Sequence, residues 1–221
     1  MKKILAGLAT CALLMGIISV ANATYIDFAS TDFSGANGQS SYTTTSQGID
    51  ITIEAYNTYW FSQGWGTTND TISWNPGPSG GVDGIGVNDD EISNNGGLQS
   101  SEYLYISFTS ELHVDSVDLT DLFYEDGYFE RGSYWLETST GWETQQFFIQ
   151  DNSSAVNGAF TLSLDRDVVG LWFAGINNQP QHDYSIRGIQ TTVPEPATLL
   201  LFGAGLAGLV GYSRKRSAQK S

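Results

Sequence analysis

The chain has 221 residues, a formal net charge of −15 and a single cysteine, Cys11. So large an excess of acid excludes nucleic acid as a partner and argues against anionic lipid headgroups, because the field repels phosphates. One cysteine excludes a disulfide framework or a thiolate metal site, and the length fits about one domain of roughly 100–200 residues with processing segments at its ends.

At the N-terminus, Lys2 and Lys3 precede an apolar run from Ile4 to Val20, followed by Ala21-Asn22-Ala23. Small residues at alternate positions after such a run suit a signal peptidase pocket, so residues 1–23 read as a signal peptide and the mature chain starts at Thr24. A retained membrane anchor and a lipoprotein are the alternatives. The polar region that follows opposes the first. Thr10 before Cys11, with an apolar run continuing beyond it, opposes the second.

Charge is unevenly placed along the chain. Between Thr24 and Val193 the only bases are Arg131, Arg166 and Arg187, against 23 of the 24 acids, a net of −20 with no lysine. Calcium, cationic surfaces and neutral sugars stay open as partners. Solubility outside the cell and resistance to self-association account for the same charge without any ligand.

Period-two patterning dominates residues 24–192. Ile49, Ile51 and Ile53 alternate with polar residues; Leu104, Ile106 and Phe108 alternate with Tyr103, Tyr105 and Ser107. Leu112 and Val114 continue the theme, and Val117 and Leu119 resume it after a shift of phase. Residues 146–149, 159–164 and 168–173 complete the apolar runs. Strand side chains point to opposite faces in turn, so these runs predict strands, and no stretch has apolar residues at helical spacing. Clusters such as Ser34-Gly35-Ala36-Asn37-Gly38, Asn75-Pro76-Gly77-Pro78 and Ser93-Asn94-Asn95-Gly96-Gly97 supply turns between them. About ten to twelve short strands in one cysteine-free domain predict an all-β fold, an antiparallel β-sandwich of jelly-roll type.

An aromatic cluster comes first within this domain: Tyr56, Tyr59, Trp60, Phe61, Trp65 and Trp74, interleaved with Asn57, Gln63, Asn69 and Asp70. Aromatic faces stack on sugar rings while amides and carboxylates take the hydroxyls, which makes Tyr59, Trp60, Trp65 and Trp74 candidate carbohydrate contacts. The same residues are also ordinary strand and core residues, because each buries a large area. Next comes an acidic, glycine-flanked segment in which Asp83, Asn88, Asp89, Asp90 and Glu91, with Glu102 beyond, offer many hard oxygen ligands. Ca²⁺ takes six to eight of these from flexible loops, so the five are candidate metal ligands and Ca²⁺ the candidate cofactor. A solvated loop whose acids cap turns or pair with Arg131, Arg166 or Arg187 is the alternative. The spacing fits neither an EF-hand nor a glycine-rich calcium repeat.

Signs of catalysis are lacking in this sequence. His113 lies inside a strand pattern and His182 in a Gln181-His182-Asp183 turn, with no Gly-x-Ser-x-Gly element and no HExxH helix. Choosing two of 23 acids as a glycosidase pair is too free a choice to inform.

Residues 193–221 form a distinct tail. Val193-Pro194-Glu195-Pro196-Ala197 leads into an apolar stretch from Thr198 to Tyr212, closed by Ser213-Arg214-Lys215-Arg216. The stretch is shorter than the ~20 residues of a comfortable transmembrane helix, yet a short span is predicted because Arg214, Lys215 and Arg216 stop transfer and hold that end in the cytoplasm. Gly203, Ala207 and Gly211 give this helix a small face for close packing. Pro194 and Pro196 make a stiff extended element beside it.

This order of features resembles the PEP-CTERM sorting signal, with Pro194, Glu195 and Pro196 as its motif. The resemblance covers about the last 28 residues. It implies a Gram-negative bacterium, an exported chain held transiently in the inner membrane, and processing by exosortase, a membrane protease-transpeptidase, near Pro194 to Ala197. The final location is then the cell surface or the extracellular matrix. The segment from Gly84 to Ile92, followed by Glu102 to Phe108, likewise resembles a pattern in outer domains of such proteins. The sequence thus supports a non-catalytic surface or matrix protein interacting with exopolysaccharide. The alternative is a polysaccharide-acting enzyme, a glycosidase or lyase, displayed by the same route.

Overall fold

The structure, a computed structural model, describes residues 22–61, 64–75, 84–88, 91–93, 101–122, 124–125, 128–149, 158–176 and 183–193. All of these but Asn22 and Val193 belong to one compact unit, Ala23–Thr192. It is all-β, as the alternation predicts. In chain order come β1 (Asn22–Asp27), a 3₁₀ turn (Thr31–Ala36), β2 (Ser41–Ser46), β3 (Ile49–Phe61), β4 (Gly64–Asn69), β5 (Ile72–Asn75) and β6 (Gly84–Val87). Then follow β7 (Ser101–Thr120), the short β8 (Tyr124–Glu125) and β9 (Tyr128–Phe129), β10 (Arg131–Thr138), β11 (Gly141–Trp142), β12 (Gln146–Ile149), β13 (Phe160–Gly175) and β14 (Ser185–Val193).

Twelve strands join in one sheet that forks on two long members. The first half of β7 pairs antiparallel with β3 through Ile51↔Phe108 to Thr58↔Ser101, and the second half with β14 through Ser185↔Thr120 to Thr192↔His113. Along its other edge β7 pairs with β13 from end to end. One arm therefore reads β4/β2, β3, β7, β13, β10, β11/β12; the other reads β13, β7, β14, β6, β5, with β1 also on β14.

Three bulges explain why the strands are longer than the sequence runs. A bulge inserts an extra residue and lets a strand continue while its side-chain phase slips. Asp115 is the extra residue of β7 facing β14, which is the phase shift between Val114 and Val117. Asp165, at φ 51°, falls in the shift of β13 between Ser163 and Arg166, and Arg187 is extra in β14. A larger irregularity, between Val168/Leu112 and Gly170/Ser107, marks where β7 exchanges β3 for β14 as its neighbour. The β2–β3 connection is a two-residue hairpin in which Gln47 (φ 54°) and Gly48 (φ 78°) both take the positive φ of a type I′ turn.

Each arm buries one face. Ile51, Ile53 and Ala55, Leu104 and Ile106, Leu171 and Phe173, and Leu136 are buried in the first; Val114, Val117, Leu119, Val168, Ile186, Ile189 and Ile85 in the second. Each fully buried aliphatic or phenyl side chain contributes about 1.5–3 kcal/mol of transfer free energy. Tyr184, wholly buried, donates its hydroxyl to the Ala174 carbonyl at 3.1 Å and meets the Phe148 ring edge-on at 5.1 Å.

Candidate functional site

The opposite face of the first arm is not polar, as the face away from a core usually is. Register sets its composition. Directly opposed residues share a face, so the ladders line up Glu54, Tyr105, Trp172 and Trp135 in one row across β3, β7, β13 and β10. The next row on one side holds Tyr56, Tyr103, Ala174, Ser133 and Phe147; on the other lie Ser107, Gly170, Glu137 and Trp142.

The rings in these rows touch. Trp172 stacks with Tyr105 (4.7 Å between centroids, 24°) and with Tyr56 (5.4 Å, 22°), while Tyr103 and Trp142 approach it edge-on at 6.3 and 6.0 Å. Tyr103 also meets Trp135 at 6.2 Å. Together with Thr58 and Thr67, the residues Tyr56, Tyr103, Trp135, Trp142 and Trp172 line a recess of about 480 Å³.

Polar groups are fixed within this aromatic wall. The Tyr105 hydroxyl donates to Glu137 Oε2, and Gly170 leaves the space that the Tyr105 ring fills. Burial, then the hydrogen bond to Glu137 and its charge, hold the Tyr105 phenol well above the ordinary tyrosine range. Burial and then Glu54 raise Tyr56 in the same way. Both hydroxyls stay protonated at neutral pH, so the recess presents ring faces and neutral hydroxyls, with Glu54 and Glu137 elsewhere on the same face of the sheet. That set suits a ligand with an apolar ring face and hydroxyl edges.

Among the described side chains, none of the residues singled out from sequence as binding candidates lines the recess. Tyr59, Trp60 and Trp65 lie in the β3–β4 ladder, as Tyr59↔Gly66 and Trp60↔Trp65, with side chains outside the described residues. Trp74 sits on β5, half-buried, and its Nε1 donates to the Phe28 carbonyl at 3.0 Å; it does not line the recess. Asp83, Asp89 and Asp90 lie outside the described residues, as do Pro194, Glu195, Pro196, Arg214, Lys215, Arg216 and the apolar runs at both ends. Asn88, exposed at φ 63°, donates its N–H to the Thr71 carbonyl at 2.7 Å, and the Glu91 carbonyl accepts from Val87 at 3.4 Å. Glu102 is buried and accepts from the Ser93 N–H and hydroxyl at 2.8 and 2.7 Å. Among the described residues no three of His, Cys, Asp and Glu are grouped to hold a metal ion, and no helix is long and apolar enough to cross a membrane.

His113 is a second polar cluster. Its Nδ1 lies 2.7 Å from Asp167, and its Nε2 lies 3.3 Å from Asp165 and 3.6 Å from Asp115. The hydrogen bond to Asp167 leads in raising its pKa above the ordinary histidine value, against a smaller opposing effect of burial.

Among the described side chains that line the recess, only Tyr56 belongs to the aromatic cluster read from sequence; Tyr103, Trp135, Trp142 and Trp172 do not, nor does Tyr105, which stacks on Trp172. A signal was present. In β7 the positions alternating with Leu104 and Ile106 are tyrosines, and in β13 the one between Leu171 and Phe173 is a tryptophan, so both faces of these strands are apolar.

Comparison with known families identifies the tail. Residues 192–216 match the PEP-CTERM protein-sorting motif. The chain therefore carries the signal of an exported, exosortase-processed protein bound for the cell envelope or surface. No curated protein matches the sequence. Among solved structures, it is similar at 13% identity and a TM-score of 0.31 to the C-terminal domain of a chitobiase from Bacteroides fragilis, over 43% of this chain and 66% of that one. It is similar at 12% identity and a TM-score of 0.28 to a chitosan-binding module from a chitosanase/glucanase of Paenibacillus sp. IK-5, over 77% of this chain and 93% of that one. Likenesses this slight carry no argument about this chain's ligand.

Proposed function

We propose that this exported protein is a non-catalytic surface or matrix component that binds exopolysaccharide through the aromatic recess. The observation that carries the reading is the recess itself: three tryptophans and two tyrosines on the face of a sheet turned away from its core, with the Thr58 and Thr67 hydroxyls among them. Glu54 and Glu137 on that face, in a domain of net charge −20, favour an uncharged or amino-bearing glycan over a uronate or sulfated one. The two arms, each buried on one face, are read as the layers of a β-sandwich of jelly-roll type. The signal peptide and a brief inner-membrane stage through the apolar tail belong to the same reading.

The test is affinity electrophoresis of the protein through gels containing soluble neutral, amino-bearing or acidic polysaccharides. Retardation is expected with the first two, and Trp172→Ala is expected to lower affinity by about tenfold or more, since losing about 1.4 kcal/mol of stacking has that effect. Equal mobility of wild type and variant in every gel overturns the reading. Release of reducing ends from any of the polymers would show an enzyme instead.

A further inference from the structure

The recess has a neighbour. Across the ridge formed by Tyr103 and Trp135, a second hollow of about 170 Å³ is lined by these two rings, Ser101, Ser133, Gln145, Phe147, Ala174 and Gly175, with Ile176 at its end. Its origin lies in the row Tyr56, Tyr103, Ala174, Ser133, Phe147: two small residues stand between large rings, and the missing volume is the hollow. Ser133 and Ala174 form its floor, both almost fully buried, with the Ser133 hydroxyl directed to the Ala174 carbonyl at 3.4 Å.

Three large apolar side chains stand exposed on this face: Phe147, which lines the second hollow, at 65%, Trp142, which lines the recess, at 53%, and Ile149 at 48%. Each lies opposite a residue of β10, at Ser133, Glu137 and Arg131, whose side chains point to the recess face. Large side chains left this open in a folded domain mark a surface that something covers. The row from Tyr56 to Phe147 crosses five strands, four inter-strand spacings of about 4.8 Å, so the paired hollows extend over roughly 19 Å.

We infer that the second hollow is a further glycan subsite, and that the two hollows form one groove for an internal stretch of an extended polysaccharide. This rests on the sugar-binding reading of the first recess and adds the ligand's form. The Tyr103 and Trp135 rings divide adjacent sugar units, Phe147 offers the second unit a ring face, and Gln145 and Ser101 offer amide and hydroxyl partners. A ligand of one or two sugars would leave Phe147 uncovered; a polymer running across the strands covers it.

Calorimetric titration of the full chain with β-1,4-linked glucose and glucosamine oligomers, from disaccharide to hexasaccharide, tests this. In the series that binds, affinity is expected to rise about tenfold with length. Phe147→Ala is expected to remove that gain on the hexasaccharide, and Gln145→Ala part of it. Both residues are exposed, so the variants fold. If the hexasaccharide binds no tighter than the disaccharide, or Phe147→Ala binds it as wild type does, the second subsite is overturned while the first recess stands. If no oligomer of either series binds, both fall together.

Discussion

Gly170 makes room for the Tyr105 ring that stacks on Trp172 beside the recess. An added Cβ there would come within 2.7 Å of Tyr105 Cε2 and its hydroxyl oxygen, and 3.0 Å of Glu137 Oε2. Contacts that short force the ring to move. In Gly170→Ala, Tyr105 is expected to leave Trp172 and lose its bond to Glu137, at a cost of about 1–3 kcal/mol typical of overpacking. Tyr105 titrates high because burial and Glu137 favour its neutral form, so its stabilising contribution is present below the unfolded tyrosine pKa of about 10 and lost as pH rises through the folded value. The variant should therefore show one tyrosine ionising closer to the ordinary range in ultraviolet absorbance, with a lower Tm at neutral pH. An unchanged titration would mean the ring adapts in place. Such a site is hard to read from sequence, because its members lie between Tyr56 and Trp172 and meet only through the β3–β7–β13–β10 registers. Local density of aromatics points to residues 56–74, of which Tyr56 lines the recess, and alternation of tyrosine with aliphatics in β7 points to Tyr103.

β7 and β13 carry the fold, and their bulges are pinned by charge. Asp115 and Asp165, the residues that interrupt the ladders, both turn toward His113, and Asp167 takes its Nδ1. A protonated imidazole offsets three carboxylates gathered at one corner; a neutral one does not. His113 has a raised folded pKa, so the stability it adds is fully present below the unfolded value of about 6.5 and fades as pH climbs through the folded value. His113→Gln is expected to lower stability in mildly acidic buffer by less than about 1 kcal/mol, as suits exposed ion pairs, and to match wild type in alkaline buffer. Equal losses at both pH values, measured by urea unfolding, would assign His113 a packing role instead. The strands themselves were legible because one face of each must be apolar, and even the phase shift after Val114 appeared in the pattern. Which runs fuse into one strand was not: that depends on bulges, which leave the alternation broken in the same way a turn does.

At the scale of the molecule, two kinds of information behave differently. The sorting motif was legible because it is a linear order of features, proline pair, apolar run and basic end, with no fold in between. The charge of the domain is equally plain in sequence, but its consequence is physical and measurable. A net of −20 between Thr24 and Val193 repels itself in the compact state more than in the unfolded chain. Sodium chloride should raise Tm as the screening length contracts from about 30 Å at 0.01 M to about 10 Å at 0.1 M. Calcium chloride at matched ionic strength separates the two readings of Asp83, Asn88, Asp89, Asp90 and Glu91. A bound Ca²⁺ adds stabilisation that saturates and is reversed by chelator, because an ion held only by the folded state shifts the equilibrium by mass action, and Asp89→Asn with Asp90→Asn removes that excess. Identical melting curves in the two salts would make the segment a solvated loop whose acids serve only the general repulsion that keeps copies of the domain apart.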